Sequence, residues 1–120
     1  MTRKEKTGTR DLTFNGWVRN SLPDSNTGFI VSDIDFYMYN WKKMTHLMVE
    51  IKTRNSPLAK WQEIMYNNLS KWIKEGSKKE GWDFKGFFFI KFENTFFNDG
   101  KVYLNEKESS EEEIIKVLSL

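Results

Sequence analysis

The sequence predicts an α/β protein with a small mixed β-sheet flanked by helices, in the order α-β-β-β-α-β, followed by a short strand or turn and a helix. Apolar and polar residues alternate over residues 33–40 and 46–53, as they do in strands buried on one face. Residues 84–92 form the most apolar run, which is typical of a central strand buried on both faces. Between these strands, residues 56–76 carry apolar side chains at spacings of three and four, which indicates an amphipathic helix.

The N-terminal part of the chain is predicted to lead into the sheet. Residues 1–10 are basic and are expected to form a flexible arm, whereas residues 11–120 are expected to form a single domain. A short helix over residues 11–22, with Asp11 as its cap, is expected to end before the next proline. The apolar run of residues 29–31 is expected to be a strand that enters the sheet.

The two alternating segments are expected to pair as a hairpin through a turn around residues 40–43. In the first segment, Asp33 and Asp35 fall on one face together with the tyrosines that follow. In the second segment, Glu50 and Lys52 share a face. Pairing of the segments therefore predicts a cluster of acidic residues and a lysine at one end of the sheet.

The helix after the hairpin is expected to begin with Ser56 as its N-cap and Pro57 at its first position. Gly76 is the expected stop. The side chains expected on its buried, apolar face are Leu58, Trp61, Met65, Leu69, Trp72 and Ile73.

The C-terminal part is expected to complete the sheet and then form a helix. Residues 96–100 predict a turn, and residues 101–105 a last short strand. Ser110 and Glu113 have the spacing of a capping box, which predicts a helix that starts there.

The composition indicates an ordered, soluble and cytoplasmic domain. With 120 residues and 16% aromatic residues, the chain can build one modest core. It has no cysteine, which excludes disulfides and thiolate metal sites, and its single histidine, His46, is expected to be exposed on the strand face of Glu50. No apolar run approaches the roughly 20 residues of a membrane span, so no membrane partner is expected. The Lys-, Asn- and Phe-rich composition is typical of an AT-rich genome and suggests a virus-encoded protein.

Positive charge flanks the segment that carries the acidic residues. The net charge is only +2, but residues 1–10 and 41–74 are basic, whereas residues 101–120 are acidic. A basic surface around a site suits a substrate with a phosphate backbone. The residues expected to contact nucleic acid are Trp41, Lys42, Lys43, Arg54 and Lys60.

The expected cluster at the end of the hairpin suits a metal ion. Clustered carboxylates repel one another and desolvate poorly, so they add little to stability by themselves. A divalent cation reverses this, because carboxylate oxygens are the ligands that Mg²⁺ prefers. Asp35 and Glu50 are therefore the expected ligands of Mg²⁺, or of Mn²⁺ in its place, with the backbone carbonyl of Ile51 as a further ligand. Lys52 would orient an attacking water and stabilise charge on a phosphate.

The spacing of Asp35 and Glu50-x-Lys52, with a hairpin's length of chain between them, resembles the catalytic pattern of the PD-(D/E)XK nuclease superfamily. Gln62 and Tyr66, four residues apart on the helix after the lysine strand, are similar to the motif of its RecB-like exonuclease branch. The resemblance implies a restriction-endonuclease-like core and magnesium-dependent hydrolysis of DNA. It also implies that Gln62 and Tyr66 act at the catalytic site, where they place the substrate strand and the lysine strand.

The chain departs from the pattern of that superfamily in one respect. Its members usually carry an acidic residue on the first helix, and residues 12–20 contain none. Asp33 could supply the third catalytic carboxylate in its place, or the site could work with fewer carboxylates. Asp35 is the preferred ligand of the two aspartates, because apolar residues follow it as they follow the aspartate of the family.

Three functions fit these observations. The leading one is a metal-dependent nuclease acting on DNA, as an exonuclease, a nicking endonuclease or a junction resolvase, alone or as a homodimer or larger homo-oligomer. The second is a nucleic-acid-binding module without catalytic turnover. The third is a small protein-interaction or inhibitor protein, in which exposed aromatic side chains form the partner surface. Binding dominated by phosphate contacts weakens steeply as salt rises, which distinguishes the first two functions from the third.

Overall fold

The computed structural model of the protein describes residues 12–120. The described chain divides into two units, the first ending at residue 33 and the second comprising residues 34–120. In the first unit, helix α1 (Thr13–Ser21) forms within the segment predicted to be helical. The predicted cap Asp11 and the basic arm before it lie outside the described residues.

The predicted strand over residues 29–31 is wrong. The backbone of residues 29–34 forms no strand, and the side chains of Phe29, Ile30 and Val31 are all exposed. An apolar run becomes a strand only where a neighbouring strand satisfies its backbone donors and acceptors. The described chain therefore has two strands rather than three before its second helix, which differs from the order α-β-β-β-α-β.

The second unit is built on a five-stranded mixed sheet whose strands lie in chain order. The strands are β1 (Phe36–Asn40), β2 (Thr45–Lys52), β3 (Asp83–Phe92), β4 (Val102–Leu104) and β5 (Lys107–Ser109). β1 and β2 form the predicted antiparallel hairpin, and β3 is the central strand, as predicted. β2 and β3 pair in parallel, which requires the crossover that helix α2 (Lys60–Lys79) provides. The predicted mixed α/β fold class is confirmed.

Helices cover both faces of the sheet. On one face, helix α3 (Glu111–Leu118) contributes Ile114 to the main hydrophobic core. The other buried members of that core are Leu47, Val49, Ile90, Phe92 and Val102. On the opposite face, α2 stacks Tyr66 on Phe87 with ring centroids 3.9 Å apart. β2 is therefore buried on both faces, and Met48 and Glu50 are turned toward α2.

Helix α2 starts and ends later than the sequence indicates. Its N-cap position is held by Ala59, so Ser56 and Pro57 lie in the preceding loop rather than in the first turn. It also continues through Gly76, although a glycine inside a helix costs roughly 1 kcal/mol relative to alanine. Gly81, with φ at 78°, takes the left-handed conformation that commonly follows the end of a helix.

The buried face of α2 differs in part from the predicted one. Trp61 and Trp72 are 42% and 61% exposed, so they are not core residues. Tyr66, which was not expected to be part of the apolar face, is 1% exposed. The helix is thus rotated so that Tyr66, the half-buried Ile73 and Ser77 approach the sheet. Polar contacts with β2 and the tyrosine stacking, which residue hydrophobicity does not reveal, decide this orientation.

The C-terminal elements are close to the prediction, with one strand more. β4 and β5 form a hairpin through Asn105 and Glu106, whose φ angles of 50° and 68° are those of a two-residue turn with both residues in the left-handed region. Asparagine tolerates that region, which is the sequence feature that could have revealed this turn. The predicted capping box is confirmed, because Ser110 Oγ accepts from the Glu113 amide at 3.1 Å and Glu113 Oε1 accepts from the Ser110 amide at 3.3 Å. Within residues 12–120, no helix combines the length and the apolar character needed to cross a membrane.

Candidate active site

The hairpin brings Asp35 and Glu50 together. Phe36 pairs with Val49, so the next residues outward, Asp35 and Glu50, lie opposite each other. Asp35 Oδ2 accepts a hydrogen bond of 2.8 Å from the backbone amide of Ile51, which fixes the aspartate at the open end of the hairpin. The predicted convergence of the two carboxylates is therefore present in the structure.

Glu50 is a buried carboxylate with two partners. Its side chain lies on the α2 face of β2, and the residue is only 6% exposed. Oε1 lies 3.6 Å from Lys52 Nζ, and Oε2 accepts a hydrogen bond of 3.3 Å from the hydroxyl of Tyr66. We refer to Asp35, Glu50, Lys52 and Tyr66 as the acid–lysine cluster.

The pKa of Glu50 is raised above its usual value. Burial is the main cause, because it disfavours the charged form, and the negative charge of Asp35 adds to it. Lys52 and the Tyr66 hydroxyl act in the opposite direction and lower the pKa of Glu50. The carboxylate is thus held in a position where its charge is only partly compensated, which is typical of functional sites.

The two predicted helix residues have different roles. Tyr66 reaches the cluster directly through its hydroxyl. Gln62, one turn earlier, uses its side-chain oxygen to accept a hydrogen bond of 3.1 Å from the amide of Ala59. Gln62 therefore closes the first turn of α2, and its contact with a substrate remains a prediction.

A second lysine, Lys91, lies beside the cluster and was not singled out from the sequence. It is the register partner of Lys52 on the neighbouring parallel strand, so the two side chains share one face of the sheet. Lys91 Nζ lies 3.1 Å from Glu106 Oε2 and 5.2 Å from the ring centroid of Tyr103, and its side chain is only 15% exposed. A lone lysine within the run FFFIKF is the sequence feature that could have identified it.

Other predicted site residues take up varied positions. Ile51 contributes its amide to Asp35, and the role of its carbonyl as a ligand stays a prediction. Asp33 is the last residue of the first unit, and its role also stays a prediction. Arg54 lies two residues beyond the cluster lysine in the left-handed conformation, with φ at 52°, and its side chain is exposed. Lys60 is exposed at the start of α2, where its Nζ lies 4.0 Å from Glu63.

The hairpin turn carries Trp41, Lys42 and Lys43 away from the cluster. They lie at the far end of β2 from Glu50, which at about 3.3 Å per residue is a separation of roughly 17 Å. Trp41 is 69% exposed, and Lys42 Nζ lies 5.6 Å from its ring centroid. The structure therefore does not gather these residues around the carboxylates, although they lie along the same hairpin.

His46 is buried, and the expectation that it would be exposed is wrong. It is 8% exposed and lies edge-on to the rings of Trp82 and Phe84. Its Nδ1 lies 2.8 Å from the hydroxyl of Tyr37, and its Nε2 lies 2.8 Å from Ser77 Oγ. Burial lowers the pKa of His46, although the charge of Asp83 opposes this, so the neutral imidazole links β1 to α2 at neutral pH.

The two carboxylates of the cluster are donors of the type that Mg²⁺ prefers. Among residues 12–120, no group of three or more histidine, cysteine, aspartate or glutamate side chains is arranged to hold a metal. Mg²⁺, however, is commonly bound through one or two carboxylates, with waters and substrate phosphates completing its octahedron. Asp35 and Glu50 offer such a pair. The charge of Asp35 adds to burial in raising the pKa of Glu50, and a cation would relieve that repulsion.

Comparison of the chain with protein-family models, with curated proteins and with solved structures gives no match. The residues of the site lie just before β1, on β2 and on α2 of the second unit. Those residues place two carboxylates, a lysine and a buried tyrosine at one end of the sheet.

Proposed function

We propose that this protein is a magnesium-dependent deoxyribonuclease that hydrolyses DNA phosphodiester bonds with a metal-activated water. The observation that carries the proposal is the environment of Glu50. The residue is 6% exposed, its carboxylate lies near Lys52 and accepts a hydrogen bond from Tyr66, and burial together with the charge of Asp35 raises its pKa. Burying one carboxylate near another costs free energy, so the arrangement does not help to stabilise the sheet. Binding of a divalent cation and a phosphate gives such a cluster a use.

The architecture around the cluster supports the same proposal. The order β1-β2-α2-β3, with β2 and β3 parallel, is compatible with the second half of the proposed restriction-endonuclease-like core. The Glu50-x-Lys52 pair lies near the end of β2, and Tyr66 comes from the helix that follows, as in the RecB-like branch of the PD-(D/E)XK superfamily. This arrangement of residues 34–120 is the support that we draw on for the resemblance by motif.

Each residue of the cluster has a distinct role in this proposal. Asp35 and Glu50 would hold Mg²⁺ or Mn²⁺, which when bound polarises a phosphate and acidifies a water molecule. Lys52 donates hydrogen bonds to the attacking water and to the phosphate oxygens as negative charge develops on them. Tyr66 holds Glu50 in one orientation, because its own ring is fixed by stacking on Phe87.

Two cations outside the cluster support binding of a DNA backbone. Lys91 lies next to Lys52 on the sheet, and Arg54 follows β2 on an exposed turn. Both can neutralise phosphates that flank the scissile bond, which raises affinity without regard to sequence. Glu106 partly offsets the charge of Lys91.

A cleavage assay tests the proposal. Linear, circular and branched DNA would be incubated with Mg²⁺, Mn²⁺ or EDTA, and with wild type, Glu50→Gln and Lys52→Met. Matched controls are Glu111→Gln and Lys116→Met, which make the same charge changes on α3, at the opposite face of the sheet. We expect metal-dependent cleavage that falls about 100-fold or more in the two site variants and is unchanged in the controls.

A result without metal-dependent cleavage on any substrate would overturn the proposal, and so would equal activity in Lys52→Met and Lys116→Met. Binding of DNA without cleavage would favour a nucleic-acid-binding module, for which the exposed rings of Tyr37 and Tyr39 are the supporting observation. The preferred substrate separates end-dependent action from nicking or junction resolution.

A further inference from the structure

An aromatic strip runs along β1 away from the acid–lysine cluster. Tyr37 and Tyr39 pair with Met48 and His46, which places them on the same sheet face as Asp35 and Glu50. β1 is an edge strand, so α2, which packs over β3, leaves this part of the face open. Tyr37 and Tyr39 are 56% and 57% exposed. We define the aromatic strip as Tyr37, Tyr39 and Trp82.

The rings of the strip are held in fixed orientations. The hydroxyl of Tyr37 lies 2.8 Å from Nδ1 of the buried His46, whose other nitrogen lies 2.8 Å from Ser77 of α2. Tyr39 stacks on Trp82 with centroids 4.9 Å apart and an interplanar angle of 24°. Rings that are already ordered lose little conformational entropy when a flat group stacks on them.

The spacing of the rings suits separate bases rather than one large apolar partner. The centroids of Tyr37 and Tyr39 lie 6.1 Å apart with the planes tilted by 49°, so the two rings do not cover each other. Each ring therefore offers its own surface to a planar group. Aromatic side chains on an exposed strand that accept successive bases are a common device of proteins that bind single strands.

The charges at the two ends of the strip differ. Lys42 and Lys43 lie on the hairpin turn at one end, whereas at the other end Lys52 lies in the cluster beside the carboxylates of Asp35 and Glu50. The nearest acid to Trp82 along the chain, Asp83, forms an ion pair of 2.6 Å with Lys85. A strand whose bases stack on the strip would thus meet the cations Lys42 and Lys43 at the hairpin-turn end of its backbone.

We infer that the aromatic strip binds the bases of a single DNA strand and leads that strand into the acid–lysine cluster. This inference rests on the proposed hydrolase function and assigns its substrate class as single-stranded DNA, or a single-stranded end or flap of a duplex. In an intact duplex the faces of the bases are stacked on one another, so the strip has nothing to bind there.

Fluorescence anisotropy with labelled oligothymidylate and with a duplex of equal length tests the inference, in EDTA and at fixed salt so that no cleavage occurs. We expect Tyr39→Ala to weaken oligothymidylate binding about 10-fold or more, the effect of losing one stacked base, and to leave duplex binding unchanged. Tyr39→Phe keeps the ring and should bind like wild type. Phe36→Ala is the matched control, because Phe36 is 53% exposed on the other face of the same strand.

Equal effects of Tyr39→Ala and Phe36→Ala would overturn the inference, as would a loss of duplex binding as large as the loss of oligothymidylate binding. Failure of wild type to bind oligothymidylate would overturn it too. If the protein cleaves DNA but binding does not depend on Tyr39, only the inference about the aromatic strip is overturned. If binding depends on the ring of Tyr39 but no metal supports cleavage, only the hydrolase proposal is overturned. Thermal melts of Tyr39→Ala and Tyr39→Phe confirm that both variants are folded.

Discussion

Removing the hydroxyl of Tyr66 gives the sharpest test of how the cluster is held. In Tyr66→Phe the ring and its stacking on Phe87 remain, while the donor to Glu50 Oε2 is lost. A hydrogen bond to a charged group contributes about 1.5–3 kcal/mol. Since the O···O distance of 3.3 Å is long for a hydroxyl donor, we expect the lower end of that range, about 1.5 kcal/mol.

The free energy of unfolding in urea measures this loss, and a thermal melt should show a fall of roughly 6–10 °C in Tm for a domain of this size. Tyr103→Phe is the control, since the ring of Tyr103 lies under Lys91 and its hydroxyl makes no hydrogen bond among the residues that the structure describes. The pKa of Glu50, followed by NMR, should rise further in Tyr66→Phe, because the lost hydrogen bond favours the charged form.

A double-mutant cycle with Glu50→Gln isolates the pair. A neutral amide accepts a weaker hydrogen bond, so we expect the cost of Tyr66→Phe to fall by about 1 kcal/mol in the Glu50→Gln background. If Tyr66→Phe leaves both the stability and the pKa of Glu50 unchanged, the hydroxyl does not hold the carboxylate, and the role assigned to Tyr66 is refuted.

Three further predictions concern stability. Burial and Asp35 raise the folded-state pKa of Glu50, so ionisation of Glu50 opposes folding increasingly as pH rises above about 4.3, its unfolded value. The free energy of unfolding in urea should therefore rise for Glu50→Gln relative to wild type between pH 4 and pH 7, and a difference between the two proteins that does not change with pH would contradict this. Burial lowers the folded-state pKa of His46, so wild type should lose stability as pH falls below about 6.5. His46→Gln should lose less stability than wild type between pH 7.5 and pH 5.5 in the same measurement, and an equal loss would show that protonation of His46 does not destabilise the fold. Ser110→Ala removes the N-cap of α3 and should cost about 1 kcal/mol, whereas a cost below about 0.3 kcal/mol would show that the capping box adds no net stability.

Much of the second unit follows from local rules of sequence. The alternation before and after the hairpin turn predicts β1 and β2, the run FKGFFFIKF predicts β3, and the spacing of Ser110 and Glu113 predicts the start of α3. These elements depend on periodicity, burial of a long apolar segment and capping, all of which act over a few residues. The convergence of Asp35 and Glu50 then follows from the hairpin register.

The errors arise where distant contacts decide. The apolar residues 29–31 form no strand because no described segment pairs with their backbone. Their hydrophobicity does not indicate whether such a partner strand exists. Trp61 is hydrophobic but faces outward, because α2 is oriented by the contacts of Tyr66 and Ser77 with β2. The position of Lys91 beside the cluster could not be predicted from local sequence, because it depends on the parallel register of two strands that are far apart in the chain.

The position of β2 between two neighbours has a consequence for hydrogen exchange. Glu50 lies on a strand that is paired on both sides and buried on both faces, so its amide should exchange only when the whole unit opens. Asp35 precedes β1, an edge strand whose outer amides face no partner strand in the sheet, and this region can open alone. One carboxylate of the pair therefore belongs to the most protected part of the fold and the other to a part that can fray. A cation held by both Asp35 and Glu50 would connect the edge strand β1 to β2. Slower hydrogen exchange of the β1 amides in the presence of the cation would then reveal this connection without any substrate.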